Sequence, residues 1–284
     1  MELTEEFERL RPQLARAAYR LLGSVADAED VVQEAWLRLQ RVEDPGSIEN
    51  LEAYLRTVVT RLAYDQLGSA RARRESYVGE WLPEPLVEEA DPADLVTLDE
   101  SVSMALMLVL ERLTPAERTA FVLHDSFGMP FEEVADVVGR TPESVRQLAS
   151  RARSHVHDAR PRKPASAVEH LQIVGAFASA CEDGDLETLV SLLDPNVVWR
   201  SDGGGKVSAS LRPQHGGSHV ARALMMLATK FRQRHRPARV NGAPGYISID
   251  AQGVVTVTSV TIDNGLIVEI NSVRNPDKLG RLRA

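Results

Sequence analysis

"GMPFEEVADVVGRTPESVRQLASRARSHV", residues 128–156, decides how the rest of the chain is read. FEEVADVV has the spacing of a short amphipathic helix, and Gly139–Arg140 breaks it. Thr141 is a cap candidate and Pro142 suits the first position of a second helix. Two helices joined by so tight a break have the spacing of a helix-turn-helix. On the second helix Val145, Leu148, Ala149 and Ala152 form an apolar side, while Arg146, Gln147, Ser150, Arg151 and Arg153 form the opposite one. From Arg140 to Lys163 seven Lys or Arg stand against two acids, Glu143 and Asp158, in a chain whose formal net charge is −8. Arginine can hold guanine bidentately, glutamine can read adenine, and serine can take phosphate or base contacts. An ordinary hairpin with solvated arginines would share the shape, but the one-sided Arg/Gln face favours DNA.

The residues upstream are helical too. "EEFERLRPQLARAAYRLLG" sets Phe7, Leu10, Leu14, Ala18 and Leu21 on one stripe, closed by Gly23. "SVADAEDVVQEAWLRLQRV" opens on a cap candidate, Ser24, with Val32, Trp36 and Leu39 on one face and Asp30, Glu34 and Arg38 on another. Those three charges at i, i+4 and i+8 could be no more than a solvated, self-supporting face. A third helix starts at Asn50 and ends in "ARARRE". "SVSMALMLVLERL" is strongly apolar, and Thr114–Pro115 starts the helix after it.

Beyond "HDARPRKPAS" the pattern changes. "AVEHLQIVGAFASACEDG", "DLETLVSLLDP" and "GSHVARALMMLATKF" look helical; "NVVWRSD", "ARVNG", "GYISID", "GVVTVTSVTID" and "GLIVEINSV" look like strands. Asp263-Asn264-Gly265 is a hairpin turn signal. The expectation is an α+β domain, helices first and a curved antiparallel sheet after. The chain has one cysteine, Cys181, so no intramolecular disulfide can form, and no run of about 18 apolar residues marks a membrane span. A cytoplasmic protein without a membrane partner is expected.

Three stretches together carry a family resemblance. "DAEDVVQEAWLRL" resembles the core-polymerase-binding helix of extracytoplasmic-function (ECF) sigma factors. "NLEAYLRTVVTRLAYDQLGSARARRE" resembles their minus-10-engaging helix, and "LTPAERTAFVLHDSFGMPFEEVADVVGRTPESVRQLASRAR" resembles their minus-35-reading domain. The resemblance implies that Asp30, Gln33, Glu34 and Arg38 dock on RNA polymerase. It implies minus-35 contacts from Arg146, Gln147, Ser150 and Arg151, and DNA contacts from Arg61, Arg71, Arg73, Arg74 and Arg153. Many relatives carry Asn at the position of Arg61, where a flipped minus-10 base is read; an Arg there can stack on a base or pair with phosphate.

The C-terminal segment resembles a SnoaL-like domain of the cone-shaped, NTF2-like fold, as in the SigJ-like subgroup. "WLPEPL" (Trp81, Leu82, Pro83, Glu84, Pro85, Leu86), "DGGGK" (Asp202, Gly203, Gly204, Gly205, Lys206) and "NPDKL" (Asn275, Pro276, Asp277, Lys278, Leu279) carry that match. The first sits in an acidic linker, residues 75–100, that holds nine carboxylates and no Lys or Arg. A plain solvated linker has no need of a Trp there. The resemblance implies that "WLPEPL" packs on the SnoaL-like domain near the Gly-rich loop; the alternative is that Trp81 covers the first helical domain. The basic tail from Arg274 onward is expected to turn at Asn275-Pro276-Asp277 and pack back near the linker.

The fold class expected is therefore multidomain: two all-α sigma domains, the second with a helix-turn-helix, then the α+β cone. Boundaries fall at 1–74, 75–100 (linker), 101–157, 158–167 (linker) and 168–284. The function expected is promoter-specific initiation with core RNA polymerase and promoter DNA as partners, regulated in cis by the fused domain, by a chain that is monomeric when free. No catalytic residue, cofactor or metal is expected: His170, His215, His219 and His235 are scattered, and Gly216 and Gly217 spoil a helical His pair. The rival reading is a DNA-localised ligand sensor or small pocket enzyme, with Asp202 as its carboxylate and an unidentified small ligand in the cone.

Overall fold

The computed structural model describes residues 3–88, 102–231 and 234–282. Residues 89–100, most of the acidic linker's carboxylates among them, lie outside the described residues, as does the end of the basic tail. The chain divides into two compact units: residues 1–76 with 107–159, and residues 77–106 with 160–284.

The first unit is helical. Helix α1 (Leu3–Leu22) buries the expected stripe of Phe7, Leu10, Leu14, Ala18 and Leu21. Ser24 caps α2 (Val25–Gln40) by accepting from the Asp27 N–H, and Asn50 caps α3 (Leu51–Glu75) by accepting from Ala53. Val32 and Leu39 are buried, and Trp36 meets Phe7 at 4.7 Å between ring centroids. Helix α4 (Met104–Arg112) leads to α5 (Pro115–Phe121), which starts with a full capping box, Thr114 with Glu117. A single π turn, Val122–Ser126, continues it. Helix α6 (Phe131–Val138) ends at Gly139 with φ 69°, the left-handed conformation for which Gly is suited. Ser144 N–H then bonds Thr141 Oγ1 at 3.3 Å to start α7 (Pro142–Ala159).

Within this unit a buried cluster joins α1, α3, α4 and α5. Arg118 Nε donates to the Arg20 carbonyl at 2.9 Å, and Arg74 and Arg118 both pair with Glu111. Arg74 also donates to the Leu22 carbonyl. A carboxylate shared by two guanidiniums offsets much of the cost of burying all three.

The second unit is α+β. Helices α8 (Ala167–Asp183), α9 (Leu186–Leu192) and α10 (Gly217–Phe231) cover one face of a seven-stranded sheet. Its strands are β1 (Val87–Glu88), β2 (Leu193–Asp202), β3 (Gln214–His215), β4 (Arg234–Val240), β5 (Ala243–Ile249), β6 (Val255–Asp263) and β7 (Leu266–Val273), in the order β1-β4-β5-β6-β7-β2-β3. Phe177, Leu189, Val197, Trp199, Tyr246, Ile267 and Ile270 lie at the centre of the core. The unit is α+β as expected, with two departures from the expected plan. The sheet is mixed, because β2 runs parallel to β7, and α10 falls between β3 and β4 rather than before the sheet. The parallel pair has a simple cause: β2 and β7 are far apart in sequence, so no hairpin dictates their direction. Strand β1 comes from the linker itself, pairing Val87 with Val240.

Candidate functional site

Helix α7 presents its polar side as the sequence predicts. Arg146, Gln147, Ser150, Arg151 and Arg153 are exposed, while Val145, Leu148, Ala149 and Ala152 are buried. Two of the arginines are not idle. Arg146 bonds Glu132 at 3.1 Å and lies over the Phe131 ring, 5.3 Å from its centroid; Arg153 bonds Asp125 at 2.5 Å. Both carboxylates are borne outside α7, so they orient the guanidiniums without blocking the helix surface.

On α3, Arg61, Arg71 and Arg73 are exposed, with Arg73 Nη2 3.2 Å from Asp27. Arg74 differs: its side chain is only 16% exposed and is held by Glu111 and the Leu22 carbonyl, so this arrangement does not present it to solvent with its neighbours. Burial lowers its pKa to about 10, with the Glu111 charge acting the other way. On α2, Asp30, Gln33 and Arg38 are exposed and Glu34 is half-buried; Arg38 Nε bonds Glu34 Oε1 at 3.0 Å.

The three stretches "WLPEPL", "DGGGK" and "NPDKL" come together in the second unit, around one carboxylate. Asp202 ends β2 and is fully buried. Its Oδ1 accepts from Tyr77 Oη at 2.7 Å and from the Gly204 N–H at 3.0 Å. Its Oδ2 accepts from the Leu82 N–H at 2.9 Å and from Lys278 Nζ at 2.7 Å. Four donors on one buried carboxylate satisfy it completely. Burial, and then the Asp202 carboxylate, push the Tyr77 hydroxyl far up, so it stays a donor.

Lys278 is the matching hub. Its Nζ reaches the Leu82 carbonyl as well as Asp202, and lies 4.1 Å from the Trp81 ring centroid and 5.2 Å from that of Tyr77. Trp81 thus packs on the NPDKL turn, a short helix α11 (Pro276–Leu279) capped by Asn275. Leu82, Pro83, Glu84 and Pro85 are buried around it, and Leu279 is 5% exposed. Asn275 Nδ2 also donates to Tyr77 Oη at 2.7 Å. Lys206 Nζ bonds Asp277 at 2.6 Å on the surface. Gly204 has φ 63°, and a Cβ there would sit 2.5 Å from the Asn275 amide; only Gly fits.

The linker then runs on as a strand. Leu86 N–H donates to Asn241 Oδ1 at 3.1 Å, the Asn241 N–H donates to the Leu86 carbonyl at 2.7 Å, and Asn241 Nδ2 reaches the Val102 carbonyl at 2.9 Å. The sequence reading missed Tyr77 and Asn241. Asn241-Gly242 is a hairpin dipeptide with both residues at positive φ, and that signal was available. It also missed Arg274, which bonds Asp250 at 3.0 Å, Thr256 at 3.1 Å and the Ser208 carbonyl at 2.7 Å, holding the loop after "DGGGK" to the sheet.

The histidines do not converge. His219 bonds Gln214 at 2.8 Å, His235 bonds Glu182 at 2.9 Å, and His170, on the buried side of α8, has its pKa lowered to about 4 by burial.

Known proteins share this organisation. Residues 7–73 match Sigma-70 region 2 and residues 103–156 match Sigma-70, region 4. The chain is 42% identical to the ECF RNA polymerase sigma factor SigJ of Mycobacterium tuberculosis, over 98% of this chain and 93% of that protein. It is 36% identical to the probable ECF RNA polymerase sigma factor SigI of the same species, over 96% and 93%. The crystal structure of Mycobacterium tuberculosis SigJ superposes with a TM-score of 0.79 at 39% identity, covering 98% of each chain. The chain therefore belongs to the ECF RNA polymerase sigma factors of the SigJ-like subgroup, and it directs promoter-specific transcription initiation.

Proposed function

We propose that this sigma factor docks on core RNA polymerase through Asp30, Gln33, Glu34 and Arg38 of α2, and reads promoter DNA through α3 and α7. Gln147, Ser150 and Arg151 meet minus-35 bases, with Arg146 and Arg153 beside them; Arg61, Arg71 and Arg73 act at the minus-10 element. The observation that carries the reading is the exposed Arg/Gln side of α7 above a buried apolar one. The fused domain regulates in cis: the described parts of the segment that joins the two sigma regions, residues 77–88 and 102–106, belong to the second unit. A linker held on Asp202 and Lys278 has less freedom than a solvated chain, and so restricts what the regions it connects can do. The chain acts without catalytic residues of its own. Asp202, the one carboxylate of the enzymatic alternative, has all its acceptor capacity filled by Tyr77, Leu82, Gly204 and Lys278.

Reconstituted transcription with core polymerase on a promoter library tests this. Selective initiation should depend on the chain and disappear with Asp30→Lys plus Glu34→Lys, with helical content unchanged. Initiation undiminished in that double variant would remove α2 from the polymerase interface.

A further inference from the structure

One cavity in the first unit shares with the reading above only Arg71. It measures about 240 Å³ and lies between the C-terminal turns of α3 and the α4–α5 corner. Arg71 and Arg74 line it from α3 and Arg118 from α5, with Leu67 and Leu113 as apolar wall. Its carboxylates are Glu75 and Glu111, so three guanidiniums face two acids. Both Glu111 oxygens are already taken, one by Arg74 and one by Arg118. Among the described residues Arg71 pairs with Glu75 alone, at 3.7 Å, with both side chains more than half exposed, a pair of little strength. Arg118 is 2% exposed, and its Nη2 has no hydrogen-bond partner among the described residues. A buried guanidinium donor left unsatisfied is costly, and a cluster with surplus positive charge lacks an anion.

We propose that this cavity is an anion site that takes a phosphate group, with Arg71 and Arg118 as its principal donors. Guanidinium forks match phosphate oxygens bidentately, which chloride cannot exploit. The volume is below the roughly 300–1,000 Å³ usual for drug-sized ligands, so the site holds a phosphate head and not a whole nucleotide. The group is either free inorganic phosphate or the terminal phosphate of a monoester whose remainder stays outside. By bridging α3 to α5, the bound anion also ties the two sigma regions together.

Inorganic phosphate titrated into the full chain, followed by phosphorus NMR line width, tests the assignment. Saturable broadening is expected, resistant to equal chloride. Arg71→Gln and Arg118→Lys should each weaken it about tenfold or more, as losing a charge-assisted hydrogen bond does. Arg9→Gln, an exposed arginine on α1, should leave it unchanged. If Arg118→Lys fails to fold, Arg71→Gln decides alone. Phosphoserine as competitor distinguishes the sources: displacement of phosphate marks a monoester head, and exclusion marks the free ion. No saturable broadening, equal displacement by chloride, or equal loss in Arg9→Gln overturns the proposal. So does binding of duplex DNA through Arg71 and Arg118 with no affinity for the free ion, which would make the site a DNA-backbone contact.

Discussion

At the scale of residues, Asp202 and Lys278 depend on each other. Asp202 is fully buried and the Lys278 side chain only 11% exposed, and each is tolerable there only because the other, with the linker backbone at Leu82 and the aromatic faces of Tyr77 and Trp81, satisfies it. Removing one partner of such a pair is worse than removing both. Asp202→Ala should therefore destabilise the second unit by about 3–5 kcal/mol, read from urea unfolding, by leaving Lys278 charged and unpaired. Adding Lys278→Met should recover part of that loss. A double variant as unstable as the single one would mean that the pair is not the source of the cost. Gly204 is a second test at this scale. Gly204→Ala combines a left-handed φ of 63° with a Cβ 2.5 Å from the Asn275 side chain, so it should loosen Asn275 from Tyr77 although it adds only a methyl group. Limited proteolysis within residues 77–88 should speed up; an unchanged rate would show that the loop yields freely. None of these partnerships could be read from spacing. Tyr77 and Asp202 are 125 positions apart, and Lys278 and Leu82 are 196 apart. The subgroup resemblance pointed to the three stretches, but the carboxylate at their centre emerges only from the fold.

Elements tell the opposite story, because what starts and stops them is local. Ser24, Asn50, Thr114 and Thr141 each accept a backbone N–H three residues on, and Gly139 and Asn264-Gly265 take the left-handed conformations their turns need. Those boundaries were legible from single residues. Strand β1, strand β3 and the parallel β2–β7 pair were not, since two-residue strands have no periodicity and pairing direction is a tertiary choice. The exposed polar side of α7 was legible, yet its brackets Glu132 and Asp125 were not, for they come from the preceding elements. Arg151→Ala should reduce promoter discrimination at one minus-35 position by about 1–3 kcal/mol, measured on a promoter library. Full retention of minus-35 preference would mean that another face of the helix reads DNA. Helix α8 makes a separate prediction. His170 is 8% exposed; burial lowers its pKa from 6.5 to about 4, against the smaller opposing effect of a hydrogen bond to the Pro244 carbonyl on β5. Between those two pKa values the unfolded chain binds a proton that the folded chain does not. Stability is therefore fully present above pH 6.5 and falls as pH drops toward 4, by about 3 kcal/mol in all. His170→Phe should flatten that segment of the stability–pH curve; an identical slope in the variant would assign it to other groups.

On the scale of the whole molecule, the covalent order of the chain matters most. The polypeptide leaves the first unit after residue 76, contributes residues 77–88 and 102–106 to the second, and returns to the first from residue 107. Whatever holds residues 77–88 therefore acts on the tether between the two sigma regions, and residues 275–279 are part of that hold. Asn275 donates to Tyr77, Lys278 binds Asp202 and the Leu82 carbonyl, and Leu279 is buried. The surface pair Lys206–Asp277 adds little, about 0–1 kcal/mol at most, so the hold rests on the buried contacts. Deleting residues 275–284 removes Lys278, Asn275 and Leu279 while leaving "WLPEPL" and "DGGGK" in place. Asp202 then keeps three neutral donors and loses its counter-charge, and the linker should detach without unfolding residues 3–76. Promoter-dependent transcription should change with that deletion. It should change differently when the chain is cut near residue 165, because that cut removes the platform as well as the clasp and leaves the tether free. Three proteins in one reconstituted assay separate the cases: full length, the short deletion and the long one. If the short deletion transcribes like full length and its linker resists protease equally, the tail does not govern the tether. If the short and long deletions behave alike, the clasp alone accounts for regulation and the platform adds nothing to it.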